Sequence, residues 1–200
     1  LAPPARRSPA GRSTLTRAAA VLRTVLGRRH VAPAPPTRAP GRVPGPVDPP
    51  SGDSSLDRGL RDIRQTDPGF DPSRFVGYAA MMFRDAQRAW MGREIGSLRD
   101  RVTPEMYGEM QAQCDRLRSA GRVNRVAEIE ITATVTEAWQ ESGRDYVTAD
   151  IGGSIVDYTV DEVGDRLVDG SRTMPRDVEE FWTFTRPAGL NFWMLSAIQT

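Results

Sequence analysis

Histidine and cysteine are almost absent from this chain of 200 residues, which contains one of each. The histidine, His30, lies in a basic N-terminal segment, so the rest of the chain cannot supply a Ser-His-Asp triad, a Cys-His pair or a histidine metal site. The lone cysteine, Cys114, excludes an intramolecular disulfide and a cysteine-based zinc site. We therefore expect a protein that is not an enzyme, with no catalytic residues, no bound metal and no cofactor.

Long apolar runs and lysine are also missing. No stretch approaches the ~18 apolar residues that a membrane-spanning helix needs. All 27 basic residues are arginine, a bias that a GC-rich genome produces. The sequence opens on Leu1 instead of methionine, so we expect a fragment or a processed chain, with an upstream signal or anchor left open.

Charge and proline are distributed unevenly along the chain. Residues 1–50 contain nine arginines, a single acid and 11 of the 16 prolines, so their net charge is +8, whereas residues 51–200 carry −7. A segment rich in proline, alanine and arginine, without aromatics, cannot bury enough apolar surface to offset ~1–2 kcal/mol of backbone entropy per residue. We expect residues 1–55 to be a disordered basic tail and residues 66–200 to form one domain.

One stretch of the tail has helical periodicity. Between residues 13 and 29, leucines recur on one helical face together with four arginines and no acid, which is typical of a helix on an anionic membrane surface or of a targeting peptide. Compositional bias is the alternative. The residues assigned to the membrane surface are Leu15, Arg17, Leu22, Arg23, Leu26, Arg28 and Arg29. RNA binding is physically possible through this tail only, although the tail lacks aromatics for base stacking.

Two long helices are predicted after residue 66, each opened by a capping residue and a proline. Asp71-Pro72 starts the first, which runs to about Met91, and Thr103-Pro104 starts the second. The first helix has one apolar stripe, formed by Phe75, Ala79, Met82, Phe83, Ala86 and Trp90.

The hydrophobic period changes from helical to alternating at Ala127, which predicts a long strand with one buried face. A hairpin turn is expected at Ser142-Gly143. In the second strand the alternation changes parity at Gly152-Gly153, which predicts a bulge or a bend.

Two more strands are predicted near the C-terminus, after an acidic loop at residues 161–176. They cover residues 178–186 and 192–199, and the last one is apolar on both faces, so we expect it to be central or covered. Helices followed by a four-stranded antiparallel meander predict an α+β fold, with the helices packed in a curved sheet.

Four segments together resemble a known family. They read DPGFDPSRF at 67–75, LRDRVTPEMYGEM at 98–110, FWTFTRP at 181–187 and FWMLSAIQ at 192–199. In this order and spacing, over residues 66–200, the chain resembles the Tim44-like domain of the mitochondrial import machinery and its bacterial relatives. The resemblance implies a cone-shaped fold like nuclear transport factor two, with an apolar pocket. It also implies peripheral membrane attachment and an adaptor role in protein translocation or membrane-protein biogenesis.

Six apolar side chains are candidates for lining such a pocket and accepting an acyl chain or an apolar peptide. They are Met82, Phe83, Trp90, Trp182, Phe184 and Trp193. The alternative is core packing, because aromatics at helical or strand periodicity usually belong to the core.

Polar residues of the strands and of the acidic loop are considered for two further kinds of site, an acid–base site and a calcium site. Asp150, Asp157 and Tyr146 are considered for acid–base chemistry because the fold also hosts isomerases and dehydratases, but Asp150 and Tyr146 are expected on a solvated strand face. The acids of the 161–176 loop do not follow the calcium-loop pattern and are expected to be solvated. Arg186 is expected to pair with a core carboxylate or with this loop.

Three classes of function follow from these observations. The leading one is a non-enzymatic, membrane-associated adaptor that binds anionic lipid and a protein partner. Its expected place is the cytoplasmic side of a bacterial membrane or, alternatively, the matrix side of the mitochondrial inner membrane. The second class is an RNA- or ribosome-associated protein that uses the basic tail, since a mitochondrial ribosomal protein shares the domain. The third is a small-molecule enzyme of the cone fold.

Overall fold

The computed structural model describes residues 54–200. Three α-helices precede the sheet: α1 at Ser55–Thr66, α2 at Pro72–Gly92 and α3 at Pro104–Ser119. A short 3₁₀ turn at Gly96–Leu98 separates α2 from α3.

Side-chain caps start the two long helices where the sequence predicts them. The carboxylate of Asp71 accepts a hydrogen bond from the Ser73 backbone N–H at 2.9 Å, and a proline occupies the first turn. The Thr103 hydroxyl accepts one from the Met106 N–H at 3.4 Å. Both predicted helix starts are confirmed.

Five strands follow the helices. They are β1 at Arg122–Glu141, β2 at Arg144–Asp161, β3 at Leu167–Gly170, β4 at Arg176–Pro187 and β5 at Met194–Gln199. All pairings are antiparallel, in the order β1-β2-β4-β5. β3 and β4 share one edge of β2, because β4 pairs with residues 144–155 and β3 with residues 158–160.

The α+β fold expected from the sequence is confirmed, with two differences in the sheet. The loop expected at residues 161–176 contains β3, so the sheet has a fifth, short strand. The last strand was expected to be central or covered on both faces: it is not central, because β5 lies at the edge of the sheet order, but Ala197 and Ile198, which face opposite sides, are both buried. Its outer side is partly covered: the Leu195 N–H donates to the Arg101 carbonyl, and the Leu195 carbonyl accepts from the Thr103 N–H, both at 2.9 Å.

An irregularity in the sheet lies at the level of the predicted glycine pair. The β1–β2 register shifts between Ala127 and Glu130, so the extra residue belongs to β1, and Glu128 there has a φ of 47°. Gly153 permits the bend from the opposite strand, since its φ is +149° and a Cβ would lie 2.1 Å from the Glu130 carbonyl oxygen. Gly153 in β2 therefore accommodates a bulge that lies in β1.

The helices pack on one face of the curved sheet and form a single core with it. From α2 this core takes Phe75, Met82 and Phe83, and from β4 it takes Trp182 and Phe184, all almost without exposure. Because strand side chains alternate, Tyr146, Thr148 and Asp150 of β2 lie on the opposite, outer face.

Helix α1 approaches β1 closely through a glycine. A Cβ on Gly59 would lie 1.8 Å from the Ala138 carbonyl oxygen, so no larger residue fits without moving the helix. This contact holds the C-terminal end of α1 beside the ends of β1 and β4, where the Gln140 side-chain amide donates to the Thr66 hydroxyl at 3.3 Å.

Candidate functional site

A groove of about 580 Å³ opens at the end of the sheet where β4 finishes. The α1–α2 turn, the first turns of α2, the segment after the 3₁₀ turn, and the β4–β5 loop surround it. Five aromatic side chains line it: Phe70, Phe75, Tyr78, Phe192 and Trp193. Six charged side chains accompany them: Asp67, Asp71, Arg74, Asp100, Arg101 and Arg186. We call this site the aromatic groove.

The aromatic side chains of the groove hold one another in place. Phe75 stands edge-on to Trp193 at 5.2 Å between ring centroids and to Phe184 at 5.3 Å. Phe70 contributes from the α1–α2 turn, 5.7 Å from Trp193. Rings at these distances and tilts attract through their quadrupoles beyond their apolar burial. The groove floor is therefore a fixed apolar surface, continuous with the core through Phe75 and Phe184.

Arg186 fixes the polar wall of the groove. Its guanidinium is buried and donates to the carboxylates of Asp67 and Asp145, each at 2.9 Å. It also lies 4.3 Å from the ring centroid of Trp193. A buried arginine between two carboxylates is stable only when these hydrogen bonds are satisfied, so α1, β2 and β4 are locked together here. The structure thus settles the pairing of Arg186 in favour of core carboxylates.

Tyr78 and Arg101 form the opposite wall. The Tyr78 hydroxyl donates to the Trp193 carbonyl at 2.8 Å, which ties the β4–β5 loop to α2. Burial raises the pKa of Tyr78, and the nearby positive charge of Arg101 opposes this rise. Arg101 pairs with Asp85 at 2.7 Å, while its Nη2 atom is buried and has no hydrogen-bond partner within residues 54–200.

The six pocket candidates from the sequence are divided between core and groove. Met82, Phe83, Trp90, Trp182 and Phe184 are all 3% exposed or less and lie in the core. Trp193 alone among the six lines the aromatic groove. The core placement of the other five agrees with the alternative considered from the sequence.

Sequence reasoning did not select Phe70, Phe75 and Arg186 for this site. Phe70 sits in a turn, and Phe75 belongs to the apolar stripe of α2, so both have a sufficient local explanation. Their contact with Trp193 spans more than a hundred positions of sequence. A phenylalanine inside a turn, where small polar residues are the norm, is the one local signal that could have indicated it.

The three side chains considered for acid–base chemistry do not form one site. Asp157 is buried and accepts from the Asn124 amide at 2.8 Å and from Arg176 Nη2 at 2.7 Å. Tyr146 lies on the outer face and stacks on Trp139 at 4.9 Å. Asp150 lies on that face too, and its Oδ1 is buried without a hydrogen-bond partner in the part of the chain described.

The acidic segment after β2 is neutralised by arginines. Arg93 pairs with Glu162, with 3.0 Å between Nη1 and Oε2, and Arg172 pairs with Asp165 at 2.9 Å. Arg166 pairs with Asp161. Among residues 54–200, no group of three or more His, Cys, Asp or Glu side chains is arranged to hold a metal ion.

The tail residues assigned to a membrane surface lie outside the described residues. These are Leu15, Arg17, Leu22, Arg23, Leu26, Arg28 and Arg29. Within residues 54–200, no helix has the length and apolar character needed to cross a membrane.

Helices lying in a curved antiparallel sheet, with an open groove at one end, define the cone-shaped α+β class of domains. Within this class the chain belongs to the Tim44-like domain family, whose model matches residues 56–200. Among solved structures it is similar to the intermembrane space region of the chloroplast protein ARC6, with 13% identity and a TM-score of 0.48 over 65% of this chain and 95% of that one. No curated protein sequence matches the chain.

Proposed function

We propose that this chain is a non-enzymatic, membrane-associated binding module whose aromatic groove takes an apolar ligand: a lipid acyl chain or an apolar peptide segment. The Tim44-like family is one of membrane-associated modules related to protein translocation or membrane-protein biogenesis. The observation that carries the proposal is the groove, where five aromatic side chains surround about 580 Å³ of open space. Ligand sites in proteins commonly measure roughly 300–1,000 Å³ and are mostly apolar.

The charges around the groove suit an amphiphilic ligand. Arg74 has a side chain that is 87% exposed and lies 3.7 Å from Asp71, so this weak pair opens readily. Arg101 also lines the groove, beside Tyr78 and paired with Asp85. A ligand with an apolar chain and an anionic or carbonyl head would place the chain on the aromatic floor and the head beside these guanidinium groups.

The basic tail supplies the second half of the proposal. Nine arginines and one acid in residues 1–50 give a net charge of +8, and each arginine near an anionic bilayer contributes about 1 kcal/mol of attraction. The tail concentrates the protein at the membrane surface, and the domain is then free to engage its ligand and a protein partner. In this proposal the protein acts as an adaptor because the tail binds the membrane while the domain binds the ligand and the partner.

Binding of a fluorescent fatty acid, cis-parinaric acid, to the full chain tests the groove. We expect saturable binding, weakened about tenfold by Trp193→Ala because the substitution removes part of the aromatic floor. Trp139→Ala is the matched control, since Trp139 is also half-buried but stacks on the outer face. Equal weakening by both substitutions, or no saturable binding to the wild type, would refute the groove as the site.

Co-sedimentation of the full chain with lipid vesicles tests the membrane association. We expect binding to anionic vesicles at low salt, little binding to neutral vesicles, and a large loss when Arg17, Arg23, Arg28 and Arg29 are all replaced by Gln. A chain that ignores vesicles and instead binds ribosomal RNA with a steep salt dependence would establish the RNA-associated alternative.

A further inference from the structure

The β4–β5 loop presents two apolar side chains almost fully to solvent. Phe192 is 91% exposed and Leu190 is 85% exposed. Residues 187–193 read PAGLNFW and contain no charged side chain. Scattered exposed apolar residues are ordinary, but two at one uncharged tip form a surface that water solvates poorly.

This loop is held in shape by its own hydrogen bonds. The Asn191 amide donates to the carbonyls of Pro187 at 3.1 Å and Ala188 at 3.2 Å. The Ala188 N–H donates to the Gly143 carbonyl at 2.9 Å, which fastens the loop to the β1–β2 turn. Insertion of the tip into an apolar phase would therefore need no further ordering of the backbone.

The tip is also part of the groove wall. Phe192 is exposed on the outside and lines the aromatic groove as well. The next residue, Trp193, has its carbonyl held by the Tyr78 hydroxyl at 2.8 Å. A surface that contacts the tip therefore also lies at the entrance of the aromatic groove.

The residues next to the tip suit contact with an anionic surface. The loop starts at Pro187, which pairs with Arg144, the first residue of β2, and the groove beside it carries the exposed Arg74. The other end of β2 leads into residues 161–170, which contain four carboxylates and one arginine. Three of these four carboxylates are paired with arginines, so it is the uncharged tip with its flanking arginines that suits an anionic bilayer.

We propose that Leu190 and Phe192 insert into the outermost apolar layer of an anionic lipid bilayer, so that the mouth of the aromatic groove opens at the level of the lipid headgroups. The occupant of the tip is thus the bilayer itself. An acyl chain reaches the groove by leaving the adjacent leaflet, without crossing water. This inference rests on the membrane association proposed above and adds the element of the domain that makes the contact.

A tryptophan placed on the tip reports its surroundings directly. The full chain with Phe192→Trp is mixed with anionic vesicles whose acyl chains are brominated near the headgroup, and its fluorescence is compared with that of the wild type. We expect a blue shift and additional quenching. The matched control is Val163→Trp in the acidic segment, since Val163 is 89% exposed, and it should show neither change.

The outcomes of this experiment distinguish failure of the tip proposal from failure of the membrane association. If the variant sediments with vesicles but its added tryptophan is not quenched, the tip proposal is overturned while the membrane association stands. Quenching of both added tryptophans would also overturn it, because the domain would then have no preferred end. If no variant binds vesicles, the membrane association itself falls.

Polar substitution of the tip gives an independent readout. Leu190→Ser with Phe192→Ser, in the full chain, should lower vesicle partitioning roughly 10- to 100-fold at high salt, where attraction by the tail is screened. Both side chains are exposed, so thermal unfolding in the absence of lipid should stay unchanged. Unchanged partitioning at high salt would contradict the proposal.

Discussion

Arginines pair with carboxylates at both ends of β2, but these pairs differ in burial. At the Arg144 end, Arg186 is 4% exposed and holds the carboxylates of Asp67 and Asp145 out of water. At the Asp161 end, the pair of Arg166 with Asp161 lies at the surface, and the Arg166 side chain is 77% exposed. Burial decides what such a pair does: a buried pair makes a rigid wall, and an exposed pair is screened and only neutralises charge.

The difference divides the molecule into a groove end and an acidic end. At the groove end, the buried pairs of Arg186 with Asp67 and Asp145 form a rigid wall. This wall can keep the apolar groove open, whereas loosely packed side chains would fill it. The acidic end also has exposed apolar side chains, Val163, Leu167 and Met174, but they are interspersed with charged residues. Four substitutions separate the contributions of the two ends, in decreasing order of effect.

Removal of the buried arginine should have the largest effect. Arg186→Ala leaves Asp67 and Asp145 as uncompensated buried carboxylates, so we expect a loss of about 3–5 kcal/mol in the free energy of unfolding, measured with urea. Arg166→Ala at the acidic end is the matched control and should cost at most about 1 kcal/mol. Similar losses for both variants would remove the distinction between the ends.

The close contact of α1 with β1 should come next. Gly59→Ala would bring a Cβ within 1.8 Å of the Ala138 carbonyl oxygen, and we expect a loss of about 1–3 kcal/mol as α1 moves away. Gly77→Ala in α2 is the control: nothing lies within 4 Å of its Cβ, so the helix should gain about 0.5–1 kcal/mol. Thermal or urea unfolding of both variants shows whether the signs differ as stated.

The hydroxyl of Tyr78 should have a smaller effect. Tyr78→Phe removes the hydrogen bond to the Trp193 carbonyl, and we expect a loss of about 0.5–1.5 kcal/mol together with faster hydrogen exchange in the β4–β5 loop. Tyr146→Phe, on the outer face, is the control and should leave exchange in this loop unchanged. Unchanged exchange in the Tyr78 variant would mean that the hydrogen bonds of Asn191 and Ala188 are sufficient to hold the loop.

Acidification of the acidic end should have the smallest effect. The Arg93 guanidinium lowers the pKa of Glu162 in the folded state. A lowered pKa contributes stability above the unfolded value of roughly 4.3, and this contribution disappears as the pH falls through the folded pKa. Glu162→Gln should therefore flatten slightly the loss of stability below that pH. An unchanged pH profile would show that the exposed pair contributes nothing.

Local patterns in the sequence were sufficient for the two long helices and for most of the sheet. The Asp71-Pro72 and Thr103-Pro104 caps and the alternation from Ala127 carry their own physical causes, and the structure confirms them. The bulge at Glu128 was indicated only indirectly, through the glycines of the opposite strand.

The aromatic groove was beyond local reasoning because its parts come together only through tertiary contacts. Phe70 contacts Trp193, and Asp67 pairs with Arg186, in both cases across more than a hundred positions of sequence. Phe83 and Trp182, which suggested a pocket by their size, instead pack on each other in the core at 5.4 Å. Residue type and period identify buried aromatics, but they do not say which ones border open space.

Hydrogen exchange of the full chain, with and without anionic vesicles, tests most directly whether the groove end, and not the acidic end, contacts the membrane. The account predicts slower exchange in residues 187–193 and in the α1–α2 turn when vesicles are present, and no change in residues 161–172. Slower exchange at the acidic end, or unchanged exchange at the groove end while the protein is bound, would contradict it.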